Sequence, residues 1–241
     1  TVINTIVAET LKTFKKDVDA LIDKGEKKEV AIMQIIQKYV VESKKVLFEG
    51  DGYSEAWAKE AEKRGLENVK TTPLALDAYV TEKAKKLFAS NDIYSHSELE
   101  ARHEIMLEDY IKKVQIEARI MGELATTFIF PSAVKYQNIL INNVKGLKEA
   151  GLKEPAYANQ VQLLEAISNH ISILGDSVEK MIEERKIANE LTDTRAKAIA
   201  YCEKVKGQYF DIIRYHVDKL ELIVDDAHWL LPKYREMLFL R

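Results

Sequence analysis

Cysteine occurs once in these 241 residues, as Cys202, so no disulfide can form within the chain. A reducing, cytoplasmic compartment is the expectation that goes with it. Glycine and proline are scarce, at 9 and 4 residues, which leaves too few turns for an all-β fold. An excess of positive charge is missing as well. The formal net charge is −3, which argues against nucleic acid or an anionic membrane surface as the main partner. No apolar run approaches the ~20 residues of a membrane span, and no signal-peptide pattern is present. The phosphate-cradling patterns GxxxxGK[ST] and GxGxxG are both absent.

What remains is helical periodicity. In residues 2–24, Ile3, Ile6, Val7, Leu11, Phe14, Val18, Leu21 and Ile22 recur three or four apart and make one inward face. Gly25 ends that helix. A second helix over 26–48 turns Ile32, Ile35, Ile36, Tyr39 and Val40 inward, and the short link makes the two antiparallel neighbours. Thr72-Pro73 reads as a cap and first-turn proline for a helix over 73–90, with Leu76, Tyr79, Val80 and Leu87 buried. Ser95-His96-Ser97-Glu98 is a capping box opening a pattern through Leu99, Ile105, Met106, Tyr110, Val114 and Ile116 to about residue 144. Pro131 interrupts it, where a kink or a restart is expected. Pro155 starts a helix to Leu191, and Thr192 caps a last one to Asp225.

The expected fold is therefore all-α, an antiparallel bundle of long helices with a short docked helix-loop insertion. Its parts are a helix pair at 1–48, a loop with two shorter helices at 49–95, the long-helix bundle at 96–226 and an apolar tail at 227–241, all one domain. Thr1 opens on helical spacing with no preceding cap, so a piece of a longer polypeptide is expected, its helix pair continuing from a missing upstream domain.

Two places stand apart from plain helix. In the loop Gly50-Asp51-Gly52-Tyr53, the glycines suit a turn needing permissive backbone angles. Ser54 caps a short helix carrying Trp57, which ends at Arg64-Gly65-Leu66. The tail holds Trp229, Tyr234 and Arg235 among apolar neighbours, and a tail so apolar should dock on its own bundle or on a neighbouring subunit. These eight residues, Gly50, Asp51, Gly52, Tyr53, Trp57, Trp229, Tyr234 and Arg235, are the candidate structural or interdomain contacts.

No catalytic, cofactor-binding or metal-binding set emerges from the residues. Glu100 and His103 have the Glu-x-x-His spacing of di-metal carboxylate bundles, with Asp225 and His228 as the nearest second pair, at a helix end and of the other acid type. His96, His170 and His216 stand isolated in sequence. Cys202 has no nameable base beside it, so a packed thiol is the simpler reading.

Several blocks, in order, resemble type III glutamine synthetases. They are Asn4-Thr5-Ile6-Val7-Ala8-Glu9; Phe48 to Trp57; Glu60-Ala61-Glu62-Lys63-Arg64-Gly65-Leu66; Lys70-Thr71-Thr72-Pro73; Arg102-His103-Glu104-Ile105 with Leu107, Glu108 and Tyr110; Ile116-Glu117-Ala118; Pro131 with Tyr136; and Trp229 to Phe239. Glu49 stands where that family has an amide, and His103 where it has a tyrosine. The resemblance covers essentially the whole chain and implies the C-terminal helical region of such an enzyme. The full enzyme would make glutamine from glutamate, ammonia and ATP through a γ-glutamyl phosphate, with Mg or Mn. It would assemble as a dodecamer of two hexameric rings. The resemblance places the metal, ATP and glutamate residues upstream, so this chain alone is expected to be inactive and to hold no cofactor. Its partners would be its own catalytic domain and sister subunits. A stand-alone helical adaptor that binds a partner protein, and a di-metal carboxylate bundle, are the competing readings.

Overall fold

The computed structural model describes residues 1–239, with only the backbone described at Tyr234 and Arg235. Leu240 and Arg241 lie outside it. The described residues are helical and contain no strand, with helices packed on one another. The chain divides into two compact units, Thr1–Ile105 and Met106–Arg241.

In the first unit, α1 (Val2–Ile22) and α2 (Lys28–Ser43) form an antiparallel pair. Phe14 meets Tyr39 edge to face at 5.8 Å, and Lys38 donates to Asp17 at 3.2 Å. Val18, Ala31 and Ile35 fill the seam between them. Gly25 makes the turn at φ +98°, where a side chain would be strained. Its N–H donates to Ile22 O, and that of Glu26 to Leu21 O.

The inward face expected for α1 is only half realised. Val18 is buried and Phe14 and Leu21 pack against it, but Ile3, Ile6, Val7 and Leu11 are exposed. The reason is length. Ser43, the last residue of α2, lines a groove together with Phe14, and the exposed apolar residues lie on the turns of α1 before Phe14. Ile36 and Val40 likewise face out. The opposite side of α1 is held by α5, where Asn91 donates to Glu9 at 2.7 Å and Lys12 to the Ser90 carbonyl at 2.9 Å.

Helix α3 (Glu55–Lys63) is capped by Ser54, whose hydroxyl accepts the Trp57 N–H. It closes at Gly65, φ +70°, with Leu66 N–H donating to Ala61 O at 2.9 Å. The single helix expected over 73–90 is instead α4 (Thr72–Leu76), a 3₁₀ turn (Asp77–Val80) and α5 (Glu82–Ala89). Thr81 breaks it. Its backbone is extended and its hydroxyl accepts the Ala84 N–H, so it works as a cap rather than a mid-helix residue. Phe88 is the buried residue of α5, while Leu76, Tyr79, Val80 and Leu87 are half-buried. Helix α4 starts one residue earlier than expected, after Thr71, with Pro73 in its first turn.

The boundary between units falls within α6 (His96–Leu124), which the capping box opens. Glu98 accepts the Ser95 N–H at 2.7 Å and the Ser95 hydroxyl accepts the Glu98 N–H at 3.3 Å. On α6, Leu99 and Val114 are buried, whereas Ile105 and Ile116 face out.

In the second unit, helix persists through Pro131. A π-helical turn (Ala125–Ile129) precedes α7 (Phe130–Glu149), and the Phe130 N–H donates five residues back to Ala125 O. The wide turn gives the proline ring room where a regular turn would drive it into the carbonyl four residues back. The Thr126 and Ser132 hydroxyls donate to the Gly122 and Phe128 carbonyls in the same stretch.

After a 3₁₀ turn (Glu154–Ala156) comes α8 (Ala158–Glu190), then α9 (Thr194–Ala200), a second π turn (Tyr201–Lys206), α10 (Gly207–Ile223) and α11 (Tyr234–Met237). The cap of α9 is Asp193, accepting the Ala196 N–H at 2.6 Å, and not Thr192. Ile167, Leu174, Met181, Tyr201, Val205, Ile213 and Leu220 form the centre of this unit.

Candidate functional site

The loop after α2 is closed by its own hydrogen bonds. The Asp51 carboxylate accepts the Tyr53 N–H at 2.9 Å, and its carbonyl accepts both the hydroxyl and the N–H of Ser54, at 2.7 and 3.1 Å. Neither Gly50 nor Gly52 adopts the left-handed backbone, which corrects the turn requirement expected of both. Gly50 is small for another reason: a Cβ there would stand 2.8 Å from the Phe48 ring. At Gly52 a Cβ would meet nothing.

Below the loop tip, Phe48 stacks on Trp57 with ring centroids 4.6 Å apart. Arg64 fastens this layer, a role that its place at a helix end does not reveal. Its guanidinium lies 5.6 Å from the Trp57 ring, donates to the Leu47 carbonyl at 2.6 Å and pairs with Glu60 at 2.7 Å. The arginine holds the Glu60 carboxyl below its ordinary pKa. Tyr53 sits at the tip, fully exposed. The loop thus brings Asp51, Tyr53 and Trp57 together in one ordered piece, with Trp57 as its half-buried root.

The tail behaves differently. Trp229 is 8% exposed, a packed residue rather than a free anchor. Asp225 organises the turn around it, accepting the Ala227 N–H on its carboxylate and the His228 and Trp229 N–H groups on its carbonyl. Lys233 ties the following segment back to Asp226 at 2.5 Å and to the Val224 carbonyl at 3.3 Å. Beyond it Met237, Leu238 and Phe239 are exposed. The side chains of Tyr234 and Arg235 lie outside the described residues.

Of the groups with ligating chemistry, Glu100 is held by a lysine, while the buried His103 Nε2 and His228 Nδ1 stand near a carboxylate without a hydrogen bond. Glu100 pairs with Lys85 at 2.8 Å, and His103 Nε2 stands 3.4 Å from Asp77. His228 Nδ1 is 3.7 Å from Asp225. Among the described residues no three His, Cys, Asp or Glu side chains converge as a metal cage would need. Cys202 lies in the second π turn, half-buried. Burial, and then the Cys202 thiol beside it, push the Tyr110 hydroxyl above its ordinary pKa.

His170 and His216, isolated in sequence, meet across α8 and α10 with Nδ1 atoms 2.8 Å apart. One must donate while the other accepts, so the pair cannot be doubly protonated as it stands. Burial lowers both pKa values, and the charges of His216 and Lys219 lower that of His170 further. Forty-six residues separate the two rings, and no local spacing rule could have joined them.

Fold and surface together define an all-helical protein class in which a hydrogen-bonded loop follows a helix pair. Residues 31–148 match the family described as glutamine synthetase C-terminal domain. The chain is 42% identical to a glutamine synthetase of Bacteroides fragilis over 98% of its own length, and 31% identical to a type-3 glutamine synthetase of Dictyostelium discoideum over all of it. A glutamine synthetase of Butyrivibrio fibrisolvens is 27% identical over 89% of the chain. The chain belongs to the glutamine synthetase C-terminal domain family. It spans about a third of the length of the relatives it matches.

Proposed function

We propose that this chain is the non-catalytic C-terminal helical region of a type III glutamine synthetase. The full-length enzyme joins ammonia to glutamate at the expense of ATP, with Mg or Mn, in the cytoplasm. The region packs on the catalytic domain and supports assembly of subunits into two stacked hexameric rings. The observation that carries this reading is the match to the Bacteroides fragilis synthetase, which takes in nearly all of this chain yet only 33% of that protein.

The ordered loop with Tyr53 at its tip suits a contact to another surface, because Tyr offers a large, stiff, partly polar side chain at little entropic cost. The Met237-Leu238-Phe239 segment offers a second apolar contact. Intact mass of the native gene product tests the reading. A polypeptide roughly three times as long as these residues is expected from the relatives' length. A product of about 241 residues would leave a free-standing helical adaptor in its place.

A further inference from the structure

The bare half of α1 has the makings of an interface. Its apolar stripe runs without a break from Ile3 through Val7 and Leu11 to Phe14, Val18 and Leu21, one face of one helix. The lower half is covered by α2 and packs as a core. The upper half is the same stripe with nothing on it: Ile3 is 75% exposed and Leu11 62%. Where cover ends there is a groove of about 310 Å³ lined by Phe14, Ile36, Tyr39, Val40, Ser43 and Leu47, which continues the apolar surface onto α2.

Residues 1–8 carry no charged side chain, the first being Glu9. Loss of charge at the centre of a patch distinguishes buried interface from ordinary surface. Solvated helix faces elsewhere in the chain are dense with ion pairs, such as Lys112–Glu108 and Lys113–Asp109 on α6.

We infer that this stripe, Ile3, Ile6, Val7 and Leu11 together with the adjoining groove, is the docking face for the part of the full-length polypeptide that these 241 residues do not include. The inference rests on the functional reading above and names the surface that would do the packing. Two observations and one general argument select that occupant over a second copy of this chain. The relatives carry about two-thirds of their length outside the match. Helix α1 precedes the domain family's own span of 31–148 but lies inside the match to the longer relatives, as a joining element between two parts would. Two surfaces on one polypeptide also meet at a millimolar-range effective concentration, whereas separate copies meet only at the concentration of the protein.

The test uses the full-length protein with a photo-reactive benzophenone amino acid at Val7 or at Leu11, and at Lys24, exposed on the turn after α1, as control. Irradiation followed by peptide mapping is expected to join Val7 and Leu11 to peptides from outside these 241 residues, in at least tenfold higher yield than Lys24. Cross-links to α1 or α2 of a second copy, or a yield no greater than the control's, would overturn the inference. Glutamine formation assayed on the same preparations keeps the two readings apart. An active enzyme with an uncross-linked stripe removes the docking alone. An inactive one whose stripe still cross-links to outside peptides removes the functional reading and upholds the docking.

Discussion

Asp193 decides where α9 begins. Its carboxylate accepts the Ala196 N–H, and the negative charge sits at the positive end of the helix. Thr192, one residue earlier and equally suited by chemistry, makes no cap. Asp193→Ala is therefore expected to lower unfolding free energy by about 1 kcal/mol, while Thr192→Ala leaves it unchanged, as read by urea titration. Capping identity was legible in sequence to within one residue and no better, because both residues are good caps and only backbone geometry chooses.

The histidine pair carries a sharper signature. Both rings have folded-state pKa values below the ordinary histidine value, so at mildly acidic pH the unfolded chain binds more protons than the native one. Stability from this source is fully present above about pH 6.5 and is lost as pH falls through the lowered values. His170→Asn should flatten that part of the profile of thermal midpoint against pH. A profile unchanged by the substitution would show that the pair does not couple to folding. Carboxylates held below their ordinary value, Glu98 by its bond from Ser95 and Glu100 by Lys85, act only in more acidic solution, below about pH 4.5.

Among the helices, the two π turns are what periodicity did not reveal. A count of apolar spacing sees Pro131 as an interruption, and the chain resolves it by widening one turn and carrying on. Ser132 is buried there with its hydroxyl 2.7 Å from the Phe128 carbonyl. Ser132→Ala should cost about 1 kcal/mol in denaturant unfolding without changing helix content by circular dichroism. The break of the expected 73–90 helix was hidden for the opposite reason. Thr81 is tolerated in a helix and also makes a good cap, and local sequence does not say which role wins. The helix pair, the capping box and the Gly25 and Gly65 ends were all legible, since each rests on a short-range rule that tertiary packing did not override.

Taken whole, the chain is a helical domain that belongs with the C-terminal domains of glutamine synthetases. Helical periodicity and the scarcity of glycine and proline sufficed for the all-α class. Three aromatic members of the candidate contact set differ in their surroundings. Tyr53 stands free on an ordered loop, Trp57 is rooted under Arg64, and Trp229 is packed in its own unit. Sequence could not sort them, because an aromatic side chain reads the same whether it serves a core or an interface. It also could not foresee that α1 would outrun its cover, since apolar periodicity reports which face wants burial and not what will bury it.

The most direct test of the account is glutamine formation from glutamate, ammonia and ATP, measured side by side for the purified 241-residue chain and for the full-length gene product. The full-length protein is expected to turn over and the 241-residue chain to give no product above the enzyme-free control. Turnover by the 241 residues alone, or none by the full-length protein, would contradict it.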